Sequence, residues 1–235
     1  MVSLVTFDLD DTLWDNEPVI EKAIGESYLW LLKRCPELSC QHDAQSLDAF
    51  HLQLMASRPD LAHRVSQARI VAARMALESV GYETQQAATL AEDFFAVFMQ
   101  WRHRITLFAG VEEMLATMAS RYVLAVITNG NVDVERIGLG KYFSFSVKAE
   151  DINRSKPDAT LFRHALSQAG ITADRAVHVG DNCIADVQGA AAAGMKTVWF
   201  NPQRETWEGV GAPDVAVTSC KDIPAAISRI DTEAV

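Results

Sequence analysis

The apolar residues follow two different patterns along the chain, and the change between them divides the sequence. Leu4 to Phe7 form a short apolar run, broken only by Thr6, which is typical of a buried parallel strand. From Asn16 to Trp101 apolar residues recur at helical spacing, and this segment contains no convincing strand. After Ile105 short apolar runs alternate with helical segments.

The helical segment predicts four helices, enough to form a small bundle. Their predicted ranges are Val19–Lys33, Asp43–Met55, Leu61–Val80 and Gln85–Trp101. Asn16 and Thr84 are residue types that cap helix N termini, and Pro18 suits a first helical turn. Gly81 is typical of the residue that follows a helix.

The alternating segment predicts parallel strands connected by helices. The predicted strands are Tyr122–Ile127, Phe143–Val147, Ala176–Val179, Thr197–Phe200 and Asp214–Val217. The predicted helices are Val111–Ala119, Asp158–Gly170, Ala185–Ala193 and Ile223–Ile230. Alternation of this kind is typical of an α/β fold with a doubly wound, Rossmann-like parallel sheet.

The first strand must belong to this sheet, because a single strand has no partner in a helical bundle. We therefore expect residues 1–15 and 102–235 to form a Rossmann-like catalytic core. Residues 16–101 are then a helical domain inserted after the first strand.

Composition and charge exclude several classes of partner. The 235 residues are 49% hydrophobic and 22% charged, which is ordinary for a globular protein with a sizeable core. The net charge of −10 argues against a broad nucleic-acid or anionic membrane surface, because both need clustered cations. We expect neither partner. A small phosphorylated substrate remains possible, since one local cation can hold it.

Cysteine spacing and hydropathy indicate a cytoplasmic protein with free thiols. Cys35, Cys40, Cys183 and Cys220 are too scattered for a zinc site. Asp8 interrupts the N-terminal apolar run, so a signal peptide is not expected. No apolar run reaches the roughly 18 residues that span a bilayer.

Three carboxylates, those of Asp8, Asp10 and Asp11, follow the first predicted strand. Ligands in open α/β sheets bind outside the carboxyl ends of the strands. Acids this close repel unless a cation or a shared proton neutralises them. Alternation along an extended chain directs Asp8 and Asp10 the same way, so this pair is the candidate for the chemistry. The alternative is an acidic turn in which an aspartate caps a helix.

The next polar clusters also follow predicted strands or begin helices. Thr128-Asn129-Gly130-Asn131 can present backbone N–H groups to phosphate oxygens, or can be an ordinary Asn-Gly turn. Lys156 comes before Pro157 and Asp158, where a helix begins. It can balance the charge of the carboxylates and of a transferring phosphoryl group, or can be a surface lysine.

Asp181 and Asp186 flank the turn after a later strand, and their oxygens suit a Mg²⁺ ion. Each cluster alone is unremarkable, but several polar clusters at predicted strand ends indicate one shared site. Two nearby residues are interpreted differently. We expect His178 to be a hydrogen-bonded core histidine and Cys183 to be a packing residue, not a nucleophile.

The polar clusters resemble the four ordered motifs of the haloacid dehalogenase-like hydrolase superfamily. The matching residues are Asp8-x-Asp10-x-Thr12, Thr128-Asn129, Lys156-Pro157 and Gly180-Asp181-x-x-x-x-Asp186. A helical insertion directly after the first motif is similar to that superfamily's type 1 cap. The stretches at residues 7–20 and 127–131 resemble the bacterial FMN phosphatase branch. Members of that branch also dephosphorylate 5-amino-6-(5-phospho-D-ribitylamino)uracil in riboflavin biosynthesis.

The resemblance implies a Mg²⁺-dependent phosphatase acting on a small phosphorylated metabolite. Asp8 would be the nucleophile that forms an aspartyl-phosphate. Asp10 would protonate the leaving oxygen and then deprotonate the attacking water. Phosphoryl oxygens would be held by Thr128, the backbone N–H of Asn129, and Lys156.

The metal ligands implied by the resemblance are the carboxylates of Asp8 and Asp181 and the backbone carbonyl of Asp10. Asp186 would orient Lys156 or a metal-bound water from outside the metal's own ligands. The acid at Asp10 favours phosphate-ester hydrolysis, because a halide leaving group needs no proton. The alternatives are a phosphomutase or a dehalogenase on the same scaffold, or a non-enzymatic module phosphorylated on Asp8.

Overall fold

One six-stranded parallel sheet lies in the part of the chain that the structure describes. The computed structural model describes residues 1–207 and 209–233. The strands are β1 Leu4–Phe7, β2 Val123–Thr128, β3 Phe145–Lys148, β4 Ala176–Gly180, β5 Lys196–Phe200 and β6 Val215–Val217. Their order is β3-β2-β1-β4-β5-β6. The predicted α/β class with a doubly wound parallel sheet is confirmed.

The strand order creates a crevice at the carboxyl end of β1. This strand pairs with β2 on one side and β4 on the other. Strands β2 and β3 extend the sheet on the first side, and β4, β5 and β6 extend it on the second. Such a reversal of strand order is the place where ligands bind in open α/β sheets. Thr6 lies opposite Ala125 in β2 and His178 in β4, so this register brings the residues after the three strands together.

Helices account for most of the remaining described residues. Their bounds are α1 Glu17–Leu32, α2 Ala44–Ser57, α3 Val65–Ser79, α4 Thr84–Arg102, α5 Val111–Ala119, α6 Ala149–Ile152, α7 Ala159–Ala169, α8 Gly189–Ala192 and α9 Ile223–Glu233. Short 3₁₀ turns occupy Pro36–Cys40, Gly140–Tyr142, Ala173–Arg175 and Cys220–Asp222. No helix among the described residues is long and apolar enough to cross a membrane.

The sheet is stabilised by an apolar core on the face that carries Leu4 and Ile127. Helix α7 buries Leu161 and Phe162 against this face, and Ala190 of α8 joins them. Because both strand faces are covered, β1, β2 and β4 are almost wholly apolar. The buried polar exceptions in the strands are therefore informative about the site.

Helices α1 to α4 form a unit with its own apolar core. Leu31, Leu77 and Phe94 pack together in it, and each is almost fully buried. Among the described residues, one compact unit comprises residues 16–105 and 131–133, and the other comprises residues 1–15, 106–130, 134–207 and 209–233. The helical unit includes residues 131–133 because Asn131 Nδ2 donates to Ser66 Oγ over 3.2 Å and the Asp133 N–H donates to His103 Nε2 over 3.1 Å.

Two expected helix caps are wrong. Asn16 precedes α1 in helical backbone geometry, and its side chain makes no capping hydrogen bond. Thr84 is the first residue of α4, which follows Glu83. The predicted helix Ala185–Ala193 also differs, because residues Cys183–Gln188 wind as a wider π-helical turn before α8. Asn182 caps this turn by accepting from the N–H groups of Ile184 and Ala185.

Candidate active site

The ammonium group of Lys156 lies at the centre of the candidate site, between two carboxylates. Its Nζ is 2.6 Å from Asp8 Oδ1 and 2.6 Å from Asp186 Oδ1. It also donates to the backbone carbonyl of Ile127 over 3.1 Å. The Lys156 side chain is only 3% exposed. All three of its N–H bonds therefore have an acceptor, which a buried ammonium requires.

Backbone hydrogen bonds set the positions of Asp8 and Lys156. The Asp8 N–H donates to the Val179 carbonyl over 2.9 Å, which extends the β1–β4 pairing by one residue. The Asn129 carboxamide holds the Lys156 backbone from both sides. Its Oδ1 accepts from the Lys156 N–H over 2.8 Å, and its Nδ2 donates to the Lys156 carbonyl over 3.2 Å. The chain after β2 thus fixes the lysine against β1.

Both oxygens of the Asp186 carboxylate accept hydrogen bonds from the protein. Oδ1 accepts from Lys156 Nζ and also lies 3.1 Å from His178 Nε2. Oδ2 accepts from the Asn182 N–H over 3.0 Å. Gly180 leaves the space this carboxylate occupies, because a Cβ at that position would collide with it. The π-helical turn and the glycine together direct Asp186 towards Lys156.

Asp181 completes a cluster of three acidic residues. Carboxylate oxygens of Asp8, Asp181 and Asp186 lie within 4.8 Å of one another. Thr12 Oγ1 donates to Asp181 Oδ1 over 2.9 Å. The indole N–H of Trp199 donates to the Asp181 backbone carbonyl over 2.7 Å. Hydrogen bonds from the loop after β1 and from β5 thus fix the position of Asp181.

The acidic cluster has more negative charge than Lys156 neutralises. Burial, together with the charges of Asp186 and Asp181, raises the pKa of Asp8 well above its usual range. Burial and the charge of Asp186 raise the pKa of Asp181 to about 7. Burial opposes ionisation of Asp186, but the charge of Lys156 and the hydrogen bonds from His178 and Lys156 together outweigh it and hold that pKa below its usual range.

The pKa values of Lys156 and His178, which contact the acidic cluster, are shifted in opposite directions. Burial would lower the pKa of Lys156, but the charges of Asp186 and Asp8 raise it above its usual value, so the ammonium stays charged. Burial lowers the pKa of His178. Three carboxylates then face one ammonium, and a divalent cation would balance them. Oxygen ligands of this kind suit Mg²⁺, so the residues present fit that ion.

The remaining predicted site residues, Asp10 and Thr128, are close in sequence to Asp8 and Asn129. Asp10 is in the turn after β1, where the Leu13 N–H donates to the Leu9 carbonyl over 2.8 Å. Asp11, with φ of 59°, has left-handed backbone geometry, which reverses the chain there. Thr128 ends β2 and is 2% exposed, and its Oγ1 accepts from the Gly130 N–H over 2.9 Å. Its own hydroxyl hydrogen is therefore available to donate.

Two contributions to the site are not predicted from the sequence. Thr12 lies within the first motif, but its hydrogen bond to Asp181 gives it a role that the motif does not indicate. The Asn129 side chain holds the Lys156 backbone, whereas the sequence predicts a role for the Asn129 backbone N–H alone. The expectation that His178 is a hydrogen-bonded core residue is confirmed, because its ring is buried and contacts Thr6 and Asp186.

Comparisons with known proteins agree on one family. A profile described as haloacid dehalogenase-like hydrolase matches residues 2–194. The 5-amino-6-(5-phospho-D-ribitylamino)uracil phosphatase YigB of Escherichia coli is 30% identical over 230 residues, which is 96% of each chain. A phosphoserine phosphatase of Thermus thermophilus is 35% identical over 156 residues, covering 64% of this chain and 61% of its own.

A solved structure is also similar over almost the whole chain. The crystal structure described as 2-haloacid dehalogenase from Pseudomonas syringae pv. tomato superposes with a TM-score of 0.92 at 40% sequence identity. The match covers 97% of this chain and 99% of that one. The fold is thus shared with proteins named for two different reactions, phosphate-ester hydrolysis and dehalogenation.

The raised pKa of Asp181 predicts how Mg²⁺ affects thermal stability at different pH values. An acid whose folded-state pKa is raised stabilises the fold fully below its unfolded pKa of 3.8, and that stability is lost as pH rises through about 7. Without metal, the Tm should therefore fall between about pH 5 and about pH 8. Because ionised carboxylates bind the cation, Mg²⁺ should raise Tm more at the higher pH.

Asp181→Asn should remove most of this Mg²⁺-induced increase in Tm, measured by differential scanning fluorimetry with Mg²⁺ or with chelator. Asp174→Asn is the matched control, because Asp174 is exposed and lies in a 3₁₀ turn away from the acidic cluster. An unchanged Mg²⁺ effect in Asp181→Asn would show that the cation binds elsewhere.

Proposed function

The chain belongs to the haloacid dehalogenase-like hydrolase family and is a phosphoric monoester hydrolase, and we propose that it hydrolyses a small phosphorylated metabolite through a phosphorylated Asp8. One observation carries this proposal. A buried carboxylate, Asp8, lies 2.6 Å from the Lys156 ammonium, and Asp10 follows it by two residues. In this proposal Asp8 supplies the nucleophile, Lys156 the positive charge and Asp10 the acid for one reacting phosphoryl group.

In the first step an oxygen of Asp8 attacks the phosphorus of the ester. A new bond forms between that oxygen and phosphorus, and the bond from phosphorus to the ester oxygen breaks. Asp10 gives its proton to the departing oxygen, so the product leaves as a neutral alcohol. Lys156 stabilises the charge on the phosphoryl oxygens during transfer, since phosphoryl transfer depends mainly on positioning and charge neutralisation.

In the second step Asp10, now ionised, accepts a proton from a water molecule. The water oxygen attacks phosphorus and the bond to Asp8 breaks, which releases inorganic phosphate and restores the carboxylate. We propose that the Thr128 hydroxyl and the Asn129 backbone N–H hold phosphoryl oxygens beside Lys156. This proposal is supported by the Thr128 hydroxyl, whose oxygen accepts from Gly130 and whose hydrogen can donate.

We propose that Mg²⁺ is the cofactor, held by the carboxylates of Asp8 and Asp181 and the backbone carbonyl of Asp10. When bound it would offset negative charge on the carboxylates and on the phosphoryl group. The excess of carboxylates over ammonium groups supports this assignment. Asp186 is the weaker candidate ligand, because both of its oxygens already accept hydrogen bonds from the protein.

We propose FMN or 5-amino-6-(5-phospho-D-ribitylamino)uracil as the substrate, which would place the enzyme in riboflavin biosynthesis. The relative named for the second compound is 30% identical over 96% of each chain. We also propose that the helical unit, which begins at Asn16, four residues after Thr12 ends the first motif, acts as the cap that selects the leaving group. Free cysteines at 35, 40, 183 and 220 support a reducing, cytoplasmic location.

Dehalogenation is the second candidate, and the structure named 2-haloacid dehalogenase at 40% identity favours it. Carbon would then be the atom attacked by Asp8, and a halide would leave. A halide needs no proton, so this reaction has no use for an acid at Asp10. The presence of Asp10 therefore favours the phosphate ester.

Asp8→Asn and Asp10→Asn should each lower kcat for phosphate release by well over ~10²-fold, the scale of a positioned proton-transfer or nucleophilic group. Asp11→Asn is the matched control, because Asp11 is exposed and asparagine also tolerates its left-handed backbone. It should retain near wild-type kcat. Full Mg²⁺-dependent activity in Asp8→Asn would refute the covalent mechanism.

A panel of phosphorylated metabolites and 2-haloacids separates the candidate reactions. With Mg²⁺ the enzyme should release inorganic phosphate. We expect kcat/KM to be highest for FMN or for 5-amino-6-(5-phospho-D-ribitylamino)uracil, the compound for which the Escherichia coli relative is named. Phosphoserine and sugar phosphates provide comparison substrates. Halide release from a 2-haloacid, without phosphate release from any ester, would instead establish the dehalogenase.

A further inference from the structure

A threonine and a histidine interrupt the apolar strands behind the candidate site. Thr6 in β1 and His178 in β4 are register partners on neighbouring parallel strands. They are 0% and 1% exposed, respectively. Burying such polar groups is costly unless each finds a hydrogen-bond partner. Packing alone would be better served by valine or isoleucine at these two positions.

Their contacts link them to the groups proposed to perform the reaction. Thr6 Oγ1 lies 2.8 Å from His178 Nδ1, and His178 Nε2 lies 3.1 Å from Asp186 Oδ1. Asp186 Oδ1 in turn accepts from Lys156, which contacts Asp8. One continuous chain of hydrogen bonds therefore runs from the interior of β1 to the proposed nucleophile, and we name its first two members, Thr6 and His178, the buried pair.

The direction of each hydrogen bond follows from the acceptor at one end. The Asp186 carboxylate, paired with Lys156, can only accept hydrogen bonds. His178 Nε2 therefore carries the ring proton and donates a hydrogen bond to Asp186 Oδ1. Nδ1 of the neutral ring is then an acceptor, and the Thr6 hydroxyl donates to it. The alternative acceptor for this hydroxyl, the Val177 carbonyl, is farther away at 3.4 Å. Asp186 thus selects the ring tautomer, and the hydrogen bond from Thr6 to Nδ1 stabilises it.

We propose that Thr6 and His178 are positioning residues that keep Asp186 directed at Lys156, so that the ammonium stays beside Asp8. The proposal rests on the phosphatase function proposed above. Asp186 lies close enough to Asp8 and Asp181 to share a cation with them, since the three can offer oxygens within 4.8 Å. The His178 donor and the Asn182 N–H occupy its oxygens from behind and restrain it from rotating towards such an ion.

The ring is also fixed by packing, which makes the hydrogen bond directional. Phe162 of α7 contacts His178 edge to face, with ring centroids 5.0 Å apart and an interplanar angle of 83°. The imidazole therefore has little freedom to turn away from Asp186. A leucine at position 178 could fill similar volume but could not donate to the carboxylate.

The first test compares two substitutions at position 178. His178→Leu should lower kcat by about 10- to 100-fold, the range typical of hydrogen bonds that orient a reactive group from behind. His178→Gln keeps an N–H donor and should recover a large part of that loss. KM should change less than kcat in both variants, because neither side chain touches substrate. Equal kcat in His178→Leu and the wild type would overturn the proposal, as would equal losses in both variants.

The second test removes one hydroxyl at a time. Thr6→Val is nearly isosteric and should lower kcat by severalfold, because the hydrogen bond that stabilises Nδ1 as an acceptor and holds the ring is lost. Thr197→Val is the matched control, since Thr197 is 1% exposed in β5 and its hydroxyl contacts Asp214 instead of the buried pair. It should lower Tm without changing kcat. Equal kcat losses in the two variants would indicate a merely structural effect and contradict the proposal.

A spectroscopic measurement separates this proposal from the proposed function. In protein labelled with ¹⁵N-histidine, NMR should place the His178 proton on Nε2 in the wild type. Thr6→Val should change the Nδ1 signal of that ring, which no activity is needed to detect. A proton on Nδ1 in the wild type would overturn the positioning role. Absence of phosphatase activity towards every ester, with the Nε2 proton observed, would refute the proposed function alone.

Discussion

The buried ion pairs of Lys156 are the interaction on which the candidate site depends. One ammonium contacts two carboxylates at 2.6 Å, and little water can solvate these groups because the Lys156, Asp8 and Asp186 side chains are only 3%, 11% and 1% exposed. Taking these charges out of water is costly, and removing one partner of such a buried pair typically costs about 3–5 kcal/mol. The fold must therefore hold every partner in place, and it uses the loops after β1, β2 and β4 to do so.

The sheet topology explains why these loops meet. Strand β1 lies between β2 and β4, so Asp8, Asn129 and Asp181 follow adjacent strand ends although they are far apart in sequence. Lys156 comes from a loop that pairs with none of these strands, and the Asn129 carboxamide ties its backbone to the end of β2. The acidic cluster then retains excess negative charge, which is the physical reason for expecting a divalent cation.

Much of the fold could be predicted from the sequence, and so could the proximity of Asp8, Lys156, Asp181 and Asp186. Apolar runs ended by aspartates identified β1 and β4, and alternation of strands and helices predicted the parallel sheet. The partners within the site could not be predicted in this way. Thr6 contacts His178 because β1 and β4 pair in one particular register. Thr12 contacts Asp181 because the loop following β1 reverses direction at Asp11. Register and loop reversal depend on the packed core, not on local spacing.

In the proposed site, one cation and one lysine share the negative charge of the acidic cluster. A crystal structure of protein grown with Mn²⁺ would locate this cation by its anomalous scattering. We expect one ion bound by the Asp8 and Asp181 carboxylates and the Asp10 carbonyl, with Lys156 still between Asp8 and Asp186. An ion bound by Asp186 with Lys156 displaced, or no ion at the acidic cluster, would show that the charge is not shared in this way.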